Sequence, residues 1–259
     1  MLLCFLNERR RILLRKPSVC WTTVCHGVRV KKIGLLGGMS WESTALYYSL
    51  LNELVRDRLG GYHSARCLVS SVDFAPVEEM QRVGDWDAAG RLLADEARLL
   101  EDAGAELLLL CTNTMHKVAD RIEAATSVPF VHLADVTARA VVAEGLESVA
   151  FLGTGFSMRE TFHTDRIARH GLTVTVPDPE EQEVVHAVIY EELVHGVVRD
   201  ESRASYRRII DALVGRGAEG VILGCTEIEL LIGPGDCPVP AFPTTRLHAE
   251  AAVDLALAG

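Results

Sequence analysis

Apolar and polar positions along the chain alternate in blocks that predict strands separated by helices. Short apolar runs typical of buried parallel strands are followed by longer segments with apolar residues at helical spacing. The predicted strands are Lys32–Gly37, Arg66–Phe74, Leu107–Leu110, Val128–Leu133, Val149–Gly153 and Val221–Gly224, and the predicted helices include Glu42–Leu59, Asp85–Ala103 and Met115–Ala124. This alternation predicts an α/β fold whose parallel sheets are covered by helices on both faces.

The second half of the chain repeats the first. Ile33–Gly37 (IGLLG) is echoed by Val149–Gly153 (VAFLG), and in each half a later apolar strand ends at a Cys-Thr pair that begins with Cys111 or Cys225. A repeat this long does not predict a solenoid. It predicts two pseudo-symmetric, flavodoxin-like domains with parallel sheets and an active site in the cleft between them.

These repeats predict the domain bounds. We expect a first α/β domain at 31–145 and a second at 146–259, with the C-terminal helix packing back on the first domain. Residues 1–30 have no counterpart in the second half, and we predict a disordered extension there. An Arg-rich targeting peptide is the alternative, but the segment has no apolar core or cleavage site of the required form.

Composition excludes several classes of protein. The net charge of −10 disfavours a nucleic-acid partner, and no uninterrupted apolar run is long enough to predict a membrane span. Seven cysteines without a CxxC pair predict neither a disulfide framework nor a zinc site, and they favour a reducing, cytoplasmic location. Lys117 is the only one of four lysines beyond residue 32, so a pyridoxal Schiff base is disfavoured. We expect no cofactor and no metal.

The candidate chemistry lies at the carboxyl ends of the strands, where open parallel sheets bind ligands. Cys111 and Cys225 each end a strand and precede a predicted helix, whose N-terminus favours a thiolate and binds a carboxylate. A cysteine at a strand end is commonly a small buried hydrophobe, but its recurrence in both halves favours function. Two thiols across one cleft could remove a proton from one face of a carbon beside a carboxylate and return one to the other face.

Three motifs resemble the aspartate/glutamate racemase superfamily, and within it the aspartate racemase-like, broad-specificity amino-acid racemases. They are Gly34–Thr44 (GLLGGMSWEST), Leu110–Asp120 (LCTNTMHKVAD) and Gly224–Leu231 (GCTEIELL), and the resemblance extends over about residues 31–258. It implies a homodimeric racemase that uses no pyridoxal phosphate, with Cys111 and Cys225 as catalytic bases. The implied substrate contacts are Met39, Gln81, Thr112, Asn113, Thr114 and Thr226.

The chain departs from the aspartate-specific pattern at two positions. Aspartate-specific members carry an arginine and a lysine that hold the side-chain carboxylate, and these positions correspond to the vicinity of Pro76 and to Glu183. Neither is basic in this chain. We therefore expect a preference for substrates with neutral or polar side chains.

Two further functions remain open at this point. A hydantoin racemase or a diacid isomerase or decarboxylase would use the same scaffold, although two cysteine motifs favour racemisation over single-cysteine decarboxylation. A non-catalytic amino-acid-binding protein would explain the polar strand ends but not the paired cysteines.

Overall fold

The computed structural model describes residues 29–258, which form two parallel β-sheets surrounded by helices. The strands are β1 (Lys32–Gly37), β2 (Arg66–Ser71), β3 (Leu107–Leu110), β4 (Ser148–Gly153), β5 (Thr173–Thr175), β6 (Gly220–Gly224) and β7 (Ala241–Pro243). The helices are α1 (Trp41–Leu59), α2 (Phe74–Val83), α3 (Trp86–Asp102), α4 (Ala119–Ala125), α5 (Leu133–Ala143), α6 (Gly155–Arg159), α7 (Phe162–Ala168), α8 (Pro179–Glu191), α9 (Asp200–Gly215), α10 (Ile228–Leu231) and α11 (Thr244–Leu257). Single 3₁₀ turns lie at Thr114–Val118, Leu193–His195 and Pro234–Asp236.

The strand order is β2-β1-β3 in the first sheet and β5-β4-β6-β7 in the second, and all neighbouring strands are parallel. The central strands are buried on both faces, which explains why β3 consists of four leucines and β6 of apolar residues and glycine. The predicted fold class, two α/β domains with parallel sheets, is thereby confirmed. None of the described helices combines the length and the apolar character that a membrane span requires.

The second strand is shorter than the sequence predicted. It ends at Ser71, and a helix that the apolar pattern did not reveal, α2, begins at Phe74. Asp73 causes the change, because its side chain accepts a hydrogen bond from the Ala75 amide at 3.2 Å and caps the new helix. Phe74 is therefore the first residue of a helix rather than the last of a strand.

The predicted strand Val128–Leu133 is also wrong. Only Phe130 pairs with the sheet, through one bridge to Leu108, and α5 begins at Leu133. Pro129 limits the pairing because it has no amide hydrogen to donate to the ladder. The predicted helix Met115–Ala124 is divided into the 3₁₀ turn Thr114–Val118 and α4.

Two helices tie the halves of the chain together. The C-terminal helix α11 contributes Ala249, Ala252 and Val253 to the core that covers one face of the first sheet. Helix α5, from the first half, contributes Ala134 and Ala138 to the core of the second sheet. Of the predicted extension, only its last two residues, 29 and 30, are described, and residues 1–28 lie outside the described part of the chain.

Candidate active site

A cavity lies where the carboxyl ends of both sheets converge, with about 610 Å³ of empty space when the open solvent at its mouth is included. Four strand ends supply its polar lining, which is the convergence that the parallel topology predicts. The lining residues are Met39, Ser40 and Ser43 after β1, Thr112, Asn113 and Thr114 after β3, Thr154 after β4, Cys225, Thr226 and Glu227 after β6, and Phe74, Gln81, Ile189, Tyr190 and Val194 from neighbouring helices and turns.

The turn after β1 depends on a glycine. Gly38 has a φ of +93°, and a Cβ atom there would lie 2.2 Å from the carbonyl oxygen of Val72. Its amide donates a hydrogen bond to Thr44 Oγ1 at 2.9 Å, which holds the turn against α1. This close approach places Met39 and Ser40 at the cavity wall.

Hydroxyl groups join the two halves across the cavity. Ser43 Oγ donates to Thr226 Oγ1 at 3.2 Å, and Thr226 Oγ1 lies 3.3 Å from Thr245 Oγ1 at the start of α11. Thr114 Oγ1 lies 3.5 Å from Thr154 Oγ1, which also caps α6. The cavity therefore offers several hydroxyl donors and acceptors from both halves.

Cys225 lies in the cavity wall at the end of β6 and is 8% exposed. Its thiol donates a hydrogen bond to Glu227 Oε2 at 2.9 Å. Burial raises the pKa of Cys225 well above its usual value, and the negative charge of Glu227 raises it further. The expected lowering of this pKa by a helix N-terminus is outweighed, because α10 has only four residues and desolvation is the largest effect on the thiol.

Cys111 lies elsewhere. Its side chain is fully buried and packs in the same core as Leu107, Leu109 and Tyr47, while Leu108 and Leu110 point into the core on the other face of the sheet. The alternation of β3 thus continues through Cys111 and directs its thiol into the protein interior. Burial raises the pKa of Cys111, as expected of a thiol that packs as a small hydrophobe.

The strand registers explain this placement. In the first sheet Gly37 is level with Cys111, whose amide donates to the Leu36 carbonyl at 2.8 Å. In the second sheet the equivalent glycine, Gly153, lies opposite Gly224. The position equivalent to Cys111 is therefore Gly224, and the match between the two Cys-Thr pairs is offset by one residue.

The residue equivalent to Cys225 is Thr112, and both residues line the cavity. Seven of the eight sequence-predicted site residues come together there: Met39, Gln81, Thr112, Asn113, Thr114, Cys225 and Thr226. The expectation that Cys111 faces the same cleft is wrong, because its strand register turns it into the core.

The sequence profile of the Asp/Glu/hydantoin racemase family matches residues 36–252, a range that spans both halves of the cavity. The chain belongs to this family. It is 21% identical over 234 residues to a broad-specificity amino-acid racemase of Bacillus subtilis, a match that covers 87% of this chain and 98% of that protein.

Crystal structures extend the comparison. A candidate Asp/Glu racemase from Yersinia pestis shares 48% identity with a TM-score of 0.85, over 88% of this chain and 99% of that one. An aspartate racemase homologue from Pyrococcus horikoshii shares 35% identity with a TM-score of 0.79, over 87% of this chain and 99% of that one. The family relationship thus rests on nearly the full length of both structures.

The charges at the cavity of this racemase-family protein are unusual for an acidic ligand. Among the described residues, no arginine, lysine or histidine lines the cavity, and Glu227 is its only charged residue. Glu183 forms an exposed ion pair with Arg159, and Lys117 pairs with Glu160 outside the lining. The lack of a basic side chain at Glu183 and near Pro76 therefore agrees with the lack of any basic side chain in the described lining of the cavity.

The sequence did not reveal the apolar wall of the cavity. Phe74 begins α2, Ile189 and Tyr190 lie near the end of α8, and Val194 lies in the following 3₁₀ turn. The sequence Asp73-Phe74-Ala75-Pro76 carries an N-cap and an early proline, which would have indicated the start of α2. Nothing in the spacing of α8 distinguishes a residue facing the cleft from one facing solvent.

Proposed function

We propose that this protein is a cofactor-independent amino-acid racemase in which Cys225 and Thr112 act on opposite faces of the substrate α-carbon. The observation that carries the proposal is that these two residues occupy equivalent positions in the two halves and line one cavity. The family relationship supports racemisation, and the scarcity of lysine supports chemistry without a pyridoxal Schiff base.

The polar lining suits the common part of an amino acid. Asn113, Thr114, Thr154 and Thr226 offer amide and hydroxyl donors for the α-carboxylate. Glu227, the only charged residue of the lining, can accept the α-ammonium group. Binding of that cation would offset the charge that raises the pKa of Cys225, so the substrate itself would promote formation of the thiolate.

Proton transfer would proceed in three steps. With the α-ammonium group offsetting the charge of Glu227, the Cys225 thiol loses its proton to solvent, which leaves a thiolate on Cys225. The thiolate removes the α-proton, and the electron pair of the C–H bond remains on the substrate as a carbanion. The Thr112 hydroxyl donates a proton to the opposite face, and a proton from solvent restores the hydroxyl from the resulting alkoxide.

The proposed pair is chemically unequal, since a hydroxyl is a weaker acid than a thiol. A proton removed by Cys225 can therefore return to the same face more readily than Thr112 delivers one to the other face. We expect deuterium from D₂O to enter the α-position of one enantiomer with retention faster than the enzyme inverts it.

Substitutions at three positions test the proposal. Incubation with single enantiomers in D₂O, followed by NMR and chiral chromatography, measures exchange and inversion separately. Cys225→Ser should lower both by at least about 100-fold, the usual contribution of a positioned acid or base. Thr112→Val should lower inversion and spare exchange, and Thr112→Cys should raise the ratio of inversion to exchange.

The Cys111→Ala variant decides between the two assignments of the bases. If Cys111 is only a small buried hydrophobe, kcat should stay within about threefold once the rates are corrected for the folded fraction. An inactive but folded Cys111→Ala protein, together with an active Thr112→Val protein, would restore the pair of cysteines predicted from the sequence.

The same assay addresses the alternative functions. Ligand binding without isotope exchange would indicate a binding protein, and release of CO₂ from a diacid would indicate a decarboxylase. Inversion of a hydantoin but of no free amino acid would indicate a hydantoin racemase.

A further inference from the structure

Four buried histidines lie behind the loop that carries Thr112 and Asn113. They are His116, His132, His163 and His248, and the ring of His116 lies within 4.7 to 6.0 Å of the other three, centroid to centroid. The described residues contain no group of His, Cys, Asp or Glu placed to hold a metal ion. The rings instead make hydrogen bonds to the protein backbone.

Two of these rings donate to consecutive carbonyl groups of the loop. His116 Nδ1 lies 2.8 Å from the Thr112 oxygen and His163 Nε2 lies 3.0 Å from the Asn113 oxygen. A carbonyl oxygen only accepts, so both nitrogens carry a proton. The other nitrogen of His116 accepts from the Leu133 amide at 3.3 Å, which fixes its neutral tautomer.

His163 differs from the other three because it has a ring nitrogen that is buried without a hydrogen-bond partner. Nδ1 is buried without a hydrogen bond, and the ring is packed between Phe151 and Phe162 at centroid distances of 5.4 and 4.5 Å. An unpartnered buried polar atom costs about 1–3 kcal/mol. A phenylalanine would fill this apolar site without that cost, so the property that distinguishes the histidine is its Nε2–H donor.

The hydrogen bond from His163 to the Asn113 carbonyl connects the two halves of the protein. His163 belongs to α7 of the second half, and it rests on Phe151 of β4, the strand next to the one that ends at Cys225. Asn113 follows Thr112 in the first half. One hydrogen bond therefore connects the sheet that carries Cys225 to the loop that carries Thr112.

Helix α7 is itself held firmly. Arg166 donates to Asp135 at 2.7 Å and to Glu123 at 3.1 Å, and all three side chains are less than half exposed. His163 is therefore presented by an anchored helix rather than by a free loop.

We propose that His163 is a positioning residue that sets the gap between Thr112 and Cys225 by holding the Asn113 carbonyl from the opposite half. The inference rests on the proposed racemisation. Loss of the His163 donor should affect turnover. The substrate contacts remain, but the distance between Thr112 and Cys225 is no longer fixed. A displacement of about 1 Å can lower a rate 100-fold.

Three substitutions of His163 separate the donor from the ring. His163→Phe keeps an aromatic ring and removes the donor. His163→Gln places an amide nitrogen near the position of Nε2, whereas His163→Asn places it near Nδ1, too short to reach the Asn113 oxygen. We expect kcat to fall about 10- to 100-fold in the Phe and Asn variants with KM within threefold, and we expect Gln to restore kcat to within about fivefold of the parent.

His248→Gln is the matched control. His248 is equally buried and donates to a carbonyl, that of Val131, which does not line the cavity. We expect its kcat per folded molecule to stay within threefold. Equal kcat values for the Gln, Asn and Phe variants of His163, measured per folded molecule, would overturn the inference.

A parallel assay of the parent protein distinguishes failure of the positioning role from failure of the proposed function. Inversion or exchange by the parent with no difference among the His163 variants rejects the positioning role alone. No inversion and no exchange by the parent with any amino acid rejects the proposed function and the positioning role together. If His163→Phe does not fold, the comparison of Gln with Asn decides the question.

Discussion

The buried histidines make a quantitative prediction about acid stability. Burial lowers the pKa of His163 and of His248 from 6.5 to about 4. It also lowers the pKa of His132 to about 3, with help from the charge of Arg166, and that of His116 well below its usual value, because protonation of the neighbouring histidines would add to the cost of its charge. As the pH falls below 6.5, these histidines bind protons in the unfolded chain but stay neutral in the folded protein. The folded state therefore loses stability between pH 6.5 and 4.

The magnitude follows from the gap in pKa. One pKa unit corresponds to about 1.4 kcal/mol, so each histidine with a folded pKa near 4 costs about 2 kcal/mol at pH 5 and about 3 kcal/mol at full effect. His132, His163 and His248 together therefore remove an amount at pH 5 that is comparable to the lower end of the total stability of an ordinary domain, about 5–15 kcal/mol, and His116 acts in the same direction.

Glu229 acts in the opposite sense. Burial raises its pKa to about 7, so the folded protein binds this proton more tightly than the unfolded chain and gains stability as the pH falls from 7 towards 4.5. This gain offsets roughly one histidine. We therefore expect a net loss of several kcal/mol between pH 7 and pH 5.

Denaturant unfolding followed by circular dichroism at pH 7.5, 6.5, 5.5 and 5 measures this loss directly. His163→Gln should reduce the loss by about 2 kcal/mol at pH 5, while Glu229→Gln should increase it. His63→Gln, at an exposed histidine, serves as the control and should follow the parent. A free energy of unfolding that stays constant from pH 7.5 to 5 would refute the burial argument.

Three further predictions concern the site. Glu227→Gln should move the thiolate limb of the kcat/KM profile to lower pH, because the carboxylate raises the pKa of Cys225; an unmoved limb in pH-rate measurements would contradict this. In thermal and denaturant unfolding, Gly38→Ala should cost at least about 2 kcal/mol, against about 1 kcal/mol for the control Gly60→Ala, whose added Cβ meets nothing within 4 Å. Methionine or homoserine should exceed aspartate at least tenfold in kcat/KM, because a buried carboxylate without a cation costs several kcal/mol; a tenfold preference for aspartate would exclude this explanation.

The sequence predicted those parts of the structure that depend on short-range pattern and on the geometry of parallel sheets. β1, β3, β4 and β6 are short runs rich in apolar residues and glycine that are buried on both faces, so composition alone identifies them. Because the carboxyl ends of parallel strands share one edge, the polar residues after these strands had to converge. The apolar wall could not be predicted, since it depends on which face α2 and α8 turn towards the cleft.

The error over Cys111 has a specific physical origin. Two identical Cys-Thr pairs after similar strands invite a residue-by-residue match, but strand equivalence is set by backbone pairing, and a shift of one residue moves a side chain to the other face of the sheet. Pairing makes Cys111 equivalent to Gly224 and Thr112 equivalent to Cys225. Cys111 therefore packs as the small buried hydrophobe that a cysteine at a strand end commonly is, whereas Cys225 lines the cavity and carries the proposed catalytic role. Because the two proposed bases are a thiol and a hydroxyl rather than two thiols, isotope exchange with retention is the informative measurement on this protein.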